Sequence, residues 1–154
     1  MEYLRNSHPH GDKISIRLNK GDNLFASLER LALKENLKAG HLSGIGAVTK
    51  VEMGYYELAE KKYYKKQFND IYELLSLEGN LCYFDGKPFY HMHVVLSDHT
   101  YQCFGGHLFD ATCAIAVELN FRVFEGEITR KLDPEIGLGT LQFCSIPNKS
   151  DFKS

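Results

Sequence analysis

Phe89-Tyr90-His91-Met92-His93-Val94-Val95-Leu96, then the polar break Ser97-Asp98-His99-Thr100, then Gly105-Gly106-His107-Leu108, is the stretch from which the architecture can be read. In a β-strand alternate side chains share a face, so His91 and His93 point one way while Tyr90, Met92, Val94 and Leu96 point the other. One face offers nitrogen ligands and the other offers apolar packing. Ser97 to Thr100 reads as a turn, and Tyr101 to Leu108 as the antiparallel return of a hairpin. If the unpaired residues are Asp98, His99 and Thr100, His107 falls opposite His91 and diagonal to His93. An even-numbered turn would need a bulge at Gly105-Gly106 to bring His107 to that face.

Three neutral imidazoles suit zinc, and less selectively nickel, copper or iron, and a three-ligand set leaves a position for water or an exogenous group. The competing reading makes His91 and His93 ordinary half-buried strand histidines. The other histidines have weaker claims: His8-Pro9-His10-Gly11 reads as a flexible or turn segment, and His99 sits in a turn where polar residues are expected.

Outward from the hairpin, most of the chain alternates like strands. Ile14, Ile16 and Leu18 make a first strand that ends at Asn19-Lys20-Gly21. Asp22 reads as an N-cap, and Leu24, Phe25, Leu28, Leu31 and Ala32 recur at helical spacing through about Glu35. His41 to Tyr56 is β-rich. Its Gly44-Ile45-Gly46 lacks the third glycine of a dinucleotide loop, since Thr49 stands there, and it follows a helix. A bend or a close backbone approach within a sheet fits better. Ile71 to Leu77 reads as a strand closed by Glu78-Gly79-Asn80, followed by Leu81 to Phe84 and a turn at Asp85-Gly86-Lys87-Pro88. Cys113 to Val123 has an apolar face (Cys113, Ile115, Val117, Leu119, Phe121, Val123) and a small or polar one (Ala114, Ala116, Glu118, Asn120, Arg122). A closing strand is expected at Thr140 to Cys144, and Ile146 to Ser154 as a polar tail. Many strands, one clear helix and no βαβ alternation predict an α+β fold with a mixed, largely antiparallel sheet and one main helix packed on it.

Composition is compatible with a single domain over 1–145: the chain has 154 residues, 44% of them hydrophobic and 25% charged. A chain of that length buries roughly two-thirds of its unfolded surface. No run approaches a membrane span, and Met1 to Arg5 has no secretory apolar core, so a cytoplasmic location is expected. Cys82, Cys103, Cys113 and Cys144 lack CxxC spacing and read as reduced thiols. The net charge of -2 gives no global attraction to phosphate backbones. Lys61-Lys62-Tyr63-Tyr64-Lys65-Lys66 interleaves lysines with aromatics as single-strand binders do. With Glu57, Glu60 and Asp70 around it, it reads better as a hairpin end or a lysine-protected edge strand.

Taken in order, Gly21-Asp22, SGIGAV at 43–48, YELLSLEGN at 72–80, DGKPFYHMHVVLSD at 85–98, GGHL at 105–108, Glu118, and the R-x-x-D-P-x-x-G-L pattern from Arg130 to Leu138 resemble the PPC domain, named for plants and prokaryotes. The resemblance covers residues 13–143 and implies a homotrimer. It also implies that His91, His93 and His107 cluster, as the histidines that in some prokaryotic members hold a metal, zinc first among the choices. Plant relatives carry AT-hooks for DNA, but an Arg-Gly-Arg-Pro core is absent from this sequence, which argues against direct DNA binding.

Three functions follow as expectations. The leading one is a zinc-binding trimeric protein of regulatory or scaffold type that recognises a small ligand or a protein partner. In it Glu73 or Glu118 would orient a ligating imidazole, unless these carboxylates pair with Arg122 or Arg130. The alternatives are DNA binding and a metal-dependent enzyme. The enzyme would activate water with Glu73 or Glu118 as proton acceptor and Ser43 or Tyr90 as polar contacts.

Overall fold

The computed structural model describes residues 1–7 and 11–142. Nine strands and one helix follow in order: β1 (Glu2–Asn6), β2 (Lys13–Asn19), α1 (Leu24–Lys34), β3 (Gly40–Glu57), β4 (Lys62–Phe68), β5 (Tyr72–Phe84), β6 (Lys87–Ser97), β7 (Cys103–Val123), β8 (Thr129–Asp133) and β9 (Leu138–Gln142). The class is α+β as the patterning predicts, and the sheet is mixed: only the single β5–β8 bridge at Tyr83 and Thr129 is parallel among the described pairings. His8, Pro9, His10, Cys144 and the tail from Ile146 lie outside the described residues.

Strands β3, β5, β6 and β7 pair in a ring, β3 with β5, β5 with β6, β6 with β7 and β7 with β3. Inside it lies one core that includes Leu42, Val48, Leu77, Leu81, Met92, Leu96, Val117 and Phe121. Helix α1 closes the core with Leu24, Leu28, Leu31 and Ala32, the residues at helical spacing. The Tyr90 hydroxyl donates to the Leu28 carbonyl at 2.9 Å, which ties β6 to the helix.

Several local expectations are corrected. Asn23, not Asp22, caps α1, its side chain accepting from the Ala26 amide. Asp22 is drawn instead to the Met1 ammonium at 2.5 Å and the Asn19 amide at 2.9 Å. Glu78-Gly79-Asn80 does not end a strand, because β5 runs straight through it. Gly79 sits where β6 comes close, and a methyl there would lie 2.5 Å from the His91 carbonyl oxygen. Strand β7 begins ten residues earlier than the predicted start at Cys113. Ile115 is not on the core face. Where Gly46 and Val48 of β3 face Val117 and Cys113, β7 carries extra residues, and Ile115 is thrown outward to 64% exposure. The lysine-rich run forms β4, which pairs with β3 along one side, as an edge strand does.

Candidate metal centre

Pleating alone puts His91 and His93 on the outer side of β6, opposite the buried Met92 and Val94. Strand β7 then brings His107 directly opposite His93, not opposite His91 as the shorter turn would have it. The reason is loop length. Ser97 pairs with Cys103, so residues 98–102 are all unpaired, an odd number that preserves the face but shifts the partner by two. Asp98 builds this loop, its Oδ1 accepting from the amides of Thr100 at 2.7 Å and Gln102 at 3.2 Å and from the Thr100 hydroxyl at 2.6 Å.

The three rings lie with centroids 5.0 to 5.3 Å apart. One nitrogen from each lies within 4.8 Å of the others. The Nε2 atoms of His91 and His93 are 3.3 Å apart. A tetrahedral zinc with bonds of about 2.05 Å holds nitrogen pairs roughly 3.3 Å apart, so two ligands already stand at ligating separation. The third, within 4.8 Å of both, needs a ring movement to close on the same ion. His93 is exposed and the other two are half-buried, which leaves the outer side open. Tyr63 and Phe109 wall the His107 ring at centroid distances of 5.1 and 4.6 Å. Among the described residues the buried His107 Nδ1 has no hydrogen-bond partner, and buried polar atoms of that kind call for a ligand or water. Donor type and spacing fit a transition-metal ion held by His91, His93 and His107.

Burial, then the Arg130 charge and then His93, lowers the His91 pKa to about 4. Burial first, followed by the charges of His91, His93, Arg130 and Lys65, does the same to His107, also to about 4. Both rings are therefore neutral and ligand-ready at neutral pH. Their folded pKa lies below the unfolded value of about 6.5, so their contribution to stability is full above that value and is lost as pH falls towards about 4. In metal-free protein the His91 and His107 ring resonances should hold their neutral shifts from pH 7 to about 5. Titration of both near 6.5 in an NMR series would contradict the burial argument.

The carboxylates expected beside the imidazoles sit elsewhere in register. Glu73 stands opposite Ser97 and Ala47, and Glu118 opposite Arg17 and Ile45. Glu78 is the carboxylate opposite His93, and its Oε2 lies 3.1 Å from His41 Nε2. Tyr90 is a core residue, not a polar contact of the centre, and Ser43 pairs with Glu78 and Asn120. The group that does touch the cluster is Arg130 on β8, whose Nη2 is 3.0 Å from His91 Nδ1. Sequence spacing carries no signal for a contact across 39 residues. Arg130 entered the sequence reading only through its motif and as a carboxylate partner.

A ringed sheet with one capping helix and an outward triad of imidazoles defines a small α+β protein with an open candidate metal centre. Among known families, the Plants and Prokaryotes Conserved (PCC) domain matches residues 5–125, and the chain belongs to that family. A metal-containing protein from Archaeoglobus fulgidus is 34% identical with a TM-score of 0.80, covering 92% of this chain and 97% of that one. A candidate DNA-binding protein from Ralstonia eutropha JMP134 is 28% identical with a TM-score of 0.82, covering 92% and 96%. The bifunctional protein GlmU of a Synechococcus species is 33% identical over 94 residues, 60% of this chain and 14% of that protein. The chain thus spans a small part of the length of the curated relative it matches. No helix among the described residues is long and apolar enough to cross a membrane.

Proposed function

We propose that this chain is a zinc-binding, homotrimeric PCC-domain protein of regulatory or scaffold type, acting in the cytoplasm on a small ligand or a protein partner. The observation that carries the reading is the set of three imidazole nitrogens within 4.8 Å of one another on the open side of the β6–β7 pair. The metal-containing relative from Archaeoglobus fulgidus supports it. Trimerisation is supported by Ile45, Leu75, Val95 and Ile115, exposed apolar residues on strands whose other face is core, a surface that a second copy can cover. The free thiols of Cys82, Cys103 and Cys113 suit a reducing compartment.

Elemental analysis of untagged protein, beside a His91/His93/His107 triple alanine variant, tests the metal. About one zinc per subunit in wild type alone is the expected result, and no metal in either protein would refute the reading. Light scattering tests the trimer.

DNA binding is the second reading, and the Ralstonia relative favours it. The lysines it would use are partly committed: Lys65 lies 3.1 Å from Glu52 and over the Phe109 ring, and Lys61 donates to the Pro134 carbonyl. Retention on duplex DNA that falls steeply with salt would establish it, and no retention at low salt would dispose of it.

A further inference from the structure

The Arg130 guanidinium spreads across one side of a cleft of about 750 Å³ that opens beside His91 and His107. Its Nε donates to Cys82 Sγ at 3.1 Å and its Nη1 to the Gly139 carbonyl at 2.7 Å. Its Nη2 reaches Asn80 Oδ1 at 3.4 Å and His91 Nδ1 at 3.0 Å. A guanidinium has donors and no acceptor, so His91 Nδ1 must accept, and the neutral ring carries its proton on Nε2. That nitrogen faces His93 Nε2 at 3.3 Å.

A metal on His91 Nε2 needs the lone pair there, which moves the ring proton to Nδ1. Nδ1–H would then confront the Arg130 N–H, donor against donor. Because the guanidinium is a rigid plane, a metal there would displace it from His91 as a unit, loosening its bonds to Cys82 and Gly139 and leaving charged donors in need of an acceptor. The remaining walls are largely apolar, with Phe84, Phe89, Leu132 and Leu141 beside the polar Asn80 and Thr140, and the guanidinium carbon lies 5.2 Å from the Phe89 ring centre.

We propose that the cleft binds an arylalkanoic acid, its carboxylate accepting from the Arg130 Nη2 that metal uptake releases and its ring lying against Phe84, Phe89 and Leu132. A cavity of this size suits a small ligand. One guanidinium balances the charge of a carboxylate monoanion but only half that of a phosphate dianion, and the largely apolar walls disfavour heavily hydrated solutes. The inference rests on the zinc reading above and deepens it: zinc and carboxylate favour each other because each prefers the same position of Arg130.

Calorimetry separates the two ideas. Zinc chloride is titrated first into metal-free protein, then phenylacetate into the metal-free and zinc-loaded forms, with phenylacetamide as the uncharged control. Phenylacetate should bind the zinc-loaded form about tenfold or more tighter than the metal-free form, and phenylacetamide should not bind. Arg130→Gln should keep zinc and weaken phenylacetate about tenfold or more, with Arg130→Lys falling between the two. Zinc binding without phenylacetate binding overturns the inference and leaves the zinc reading standing. So does phenylacetate binding that is equal with and without zinc, or unchanged in Arg130→Gln. Absence of zinc binding by the wild type overturns the zinc reading itself, and the inference with it.

Discussion

His93→Ala is expected to strip zinc from the protein while leaving the melting temperature of the metal-free form within about 2 °C of that of metal-free wild type. The two halves of this result come from different properties of one side chain. His93 is the exposed member of the triad, and its described polar contact is with His91, so truncation removes no core volume and orphans no buried backbone group. Its place in the metal set is central, however: it lies directly across the β6–β7 pair from His107 and two residues along the same face from His91. Losing a group that merely supports a ligand costs about 10- to 100-fold in metal affinity, and losing a ligand costs more. Two imidazoles and solvent do not restore the set, because the carboxylate opposite His93, Glu78, is turned to His41. Equilibrium dialysis against zinc checks the first half, and melts of metal-free wild type and variant check the second. A His93→Ala protein that keeps wild-type zinc occupancy would remove His93 from the ligand set. His91→Ala is a less clean variant, since it also removes the acceptor of Arg130.

The candidate centre was legible in the sequence to the extent that it depends on pleating. Period-two alternation assigns faces without any knowledge of register, so His91, His93 and their apolar neighbours could be sorted from the sequence, and any odd-numbered turn leaves His107 on the correct side. The partner of His107 depends on how many residues the loop leaves unpaired, and the Asp98 side chain settles that number by capturing Thr100 and Gln102. Propensity alone does not foresee that capture. Strand β1 escaped notice because its residues do not alternate: Tyr3 is half-buried and Glu2, Leu4, Arg5 and Asn6 are exposed. It is held by pairing with β2 and by ion pairs such as Arg17–Glu2 and Arg5–Glu35. Gly79 misled in the other direction, since glycine marks both turns and close strand approaches. Arg130 illustrates a wider limit: a short strand that meets β5 at one bridge carries the side chain which sets the state of His91.

The bend at Gly44-Ile45-Gly46 supplies the prediction with the largest effect on stability. Strand β3 serves two neighbours at once, pairing with β5 on one side and β7 on the other, and its register slips at this point on both sides. Gly46 absorbs the slip with φ of +148°, a backbone conformation that side chains rarely adopt. A methyl on its Cα would also run into the Ala116 carbonyl oxygen and lie 2.7 Å from Val117 Cα. Both obstacles are backbone atoms of β7, so no rotamer change relieves the clash. Gly46→Ala therefore pushes β3 from β7 or forces β7 to move with its core residues Val117 and Leu119. Backbone strain of this kind costs about 1–3 kcal/mol, and overpacking adds a similar amount. A total of about 2–6 kcal/mol lowers the melting temperature of a domain this size by roughly 4–20 °C. Tyr55→Ala, on the same strand with its side chain 68% exposed and outside the proposed subunit contact, is the control and should cost less than about 1 kcal/mol. Thermal melts of the two variants decide the matter: if Gly46→Ala melts with the wild type, the bend is not a point of obligatory close approach, and a phosphate-loop reading of the two glycines would have to be reopened.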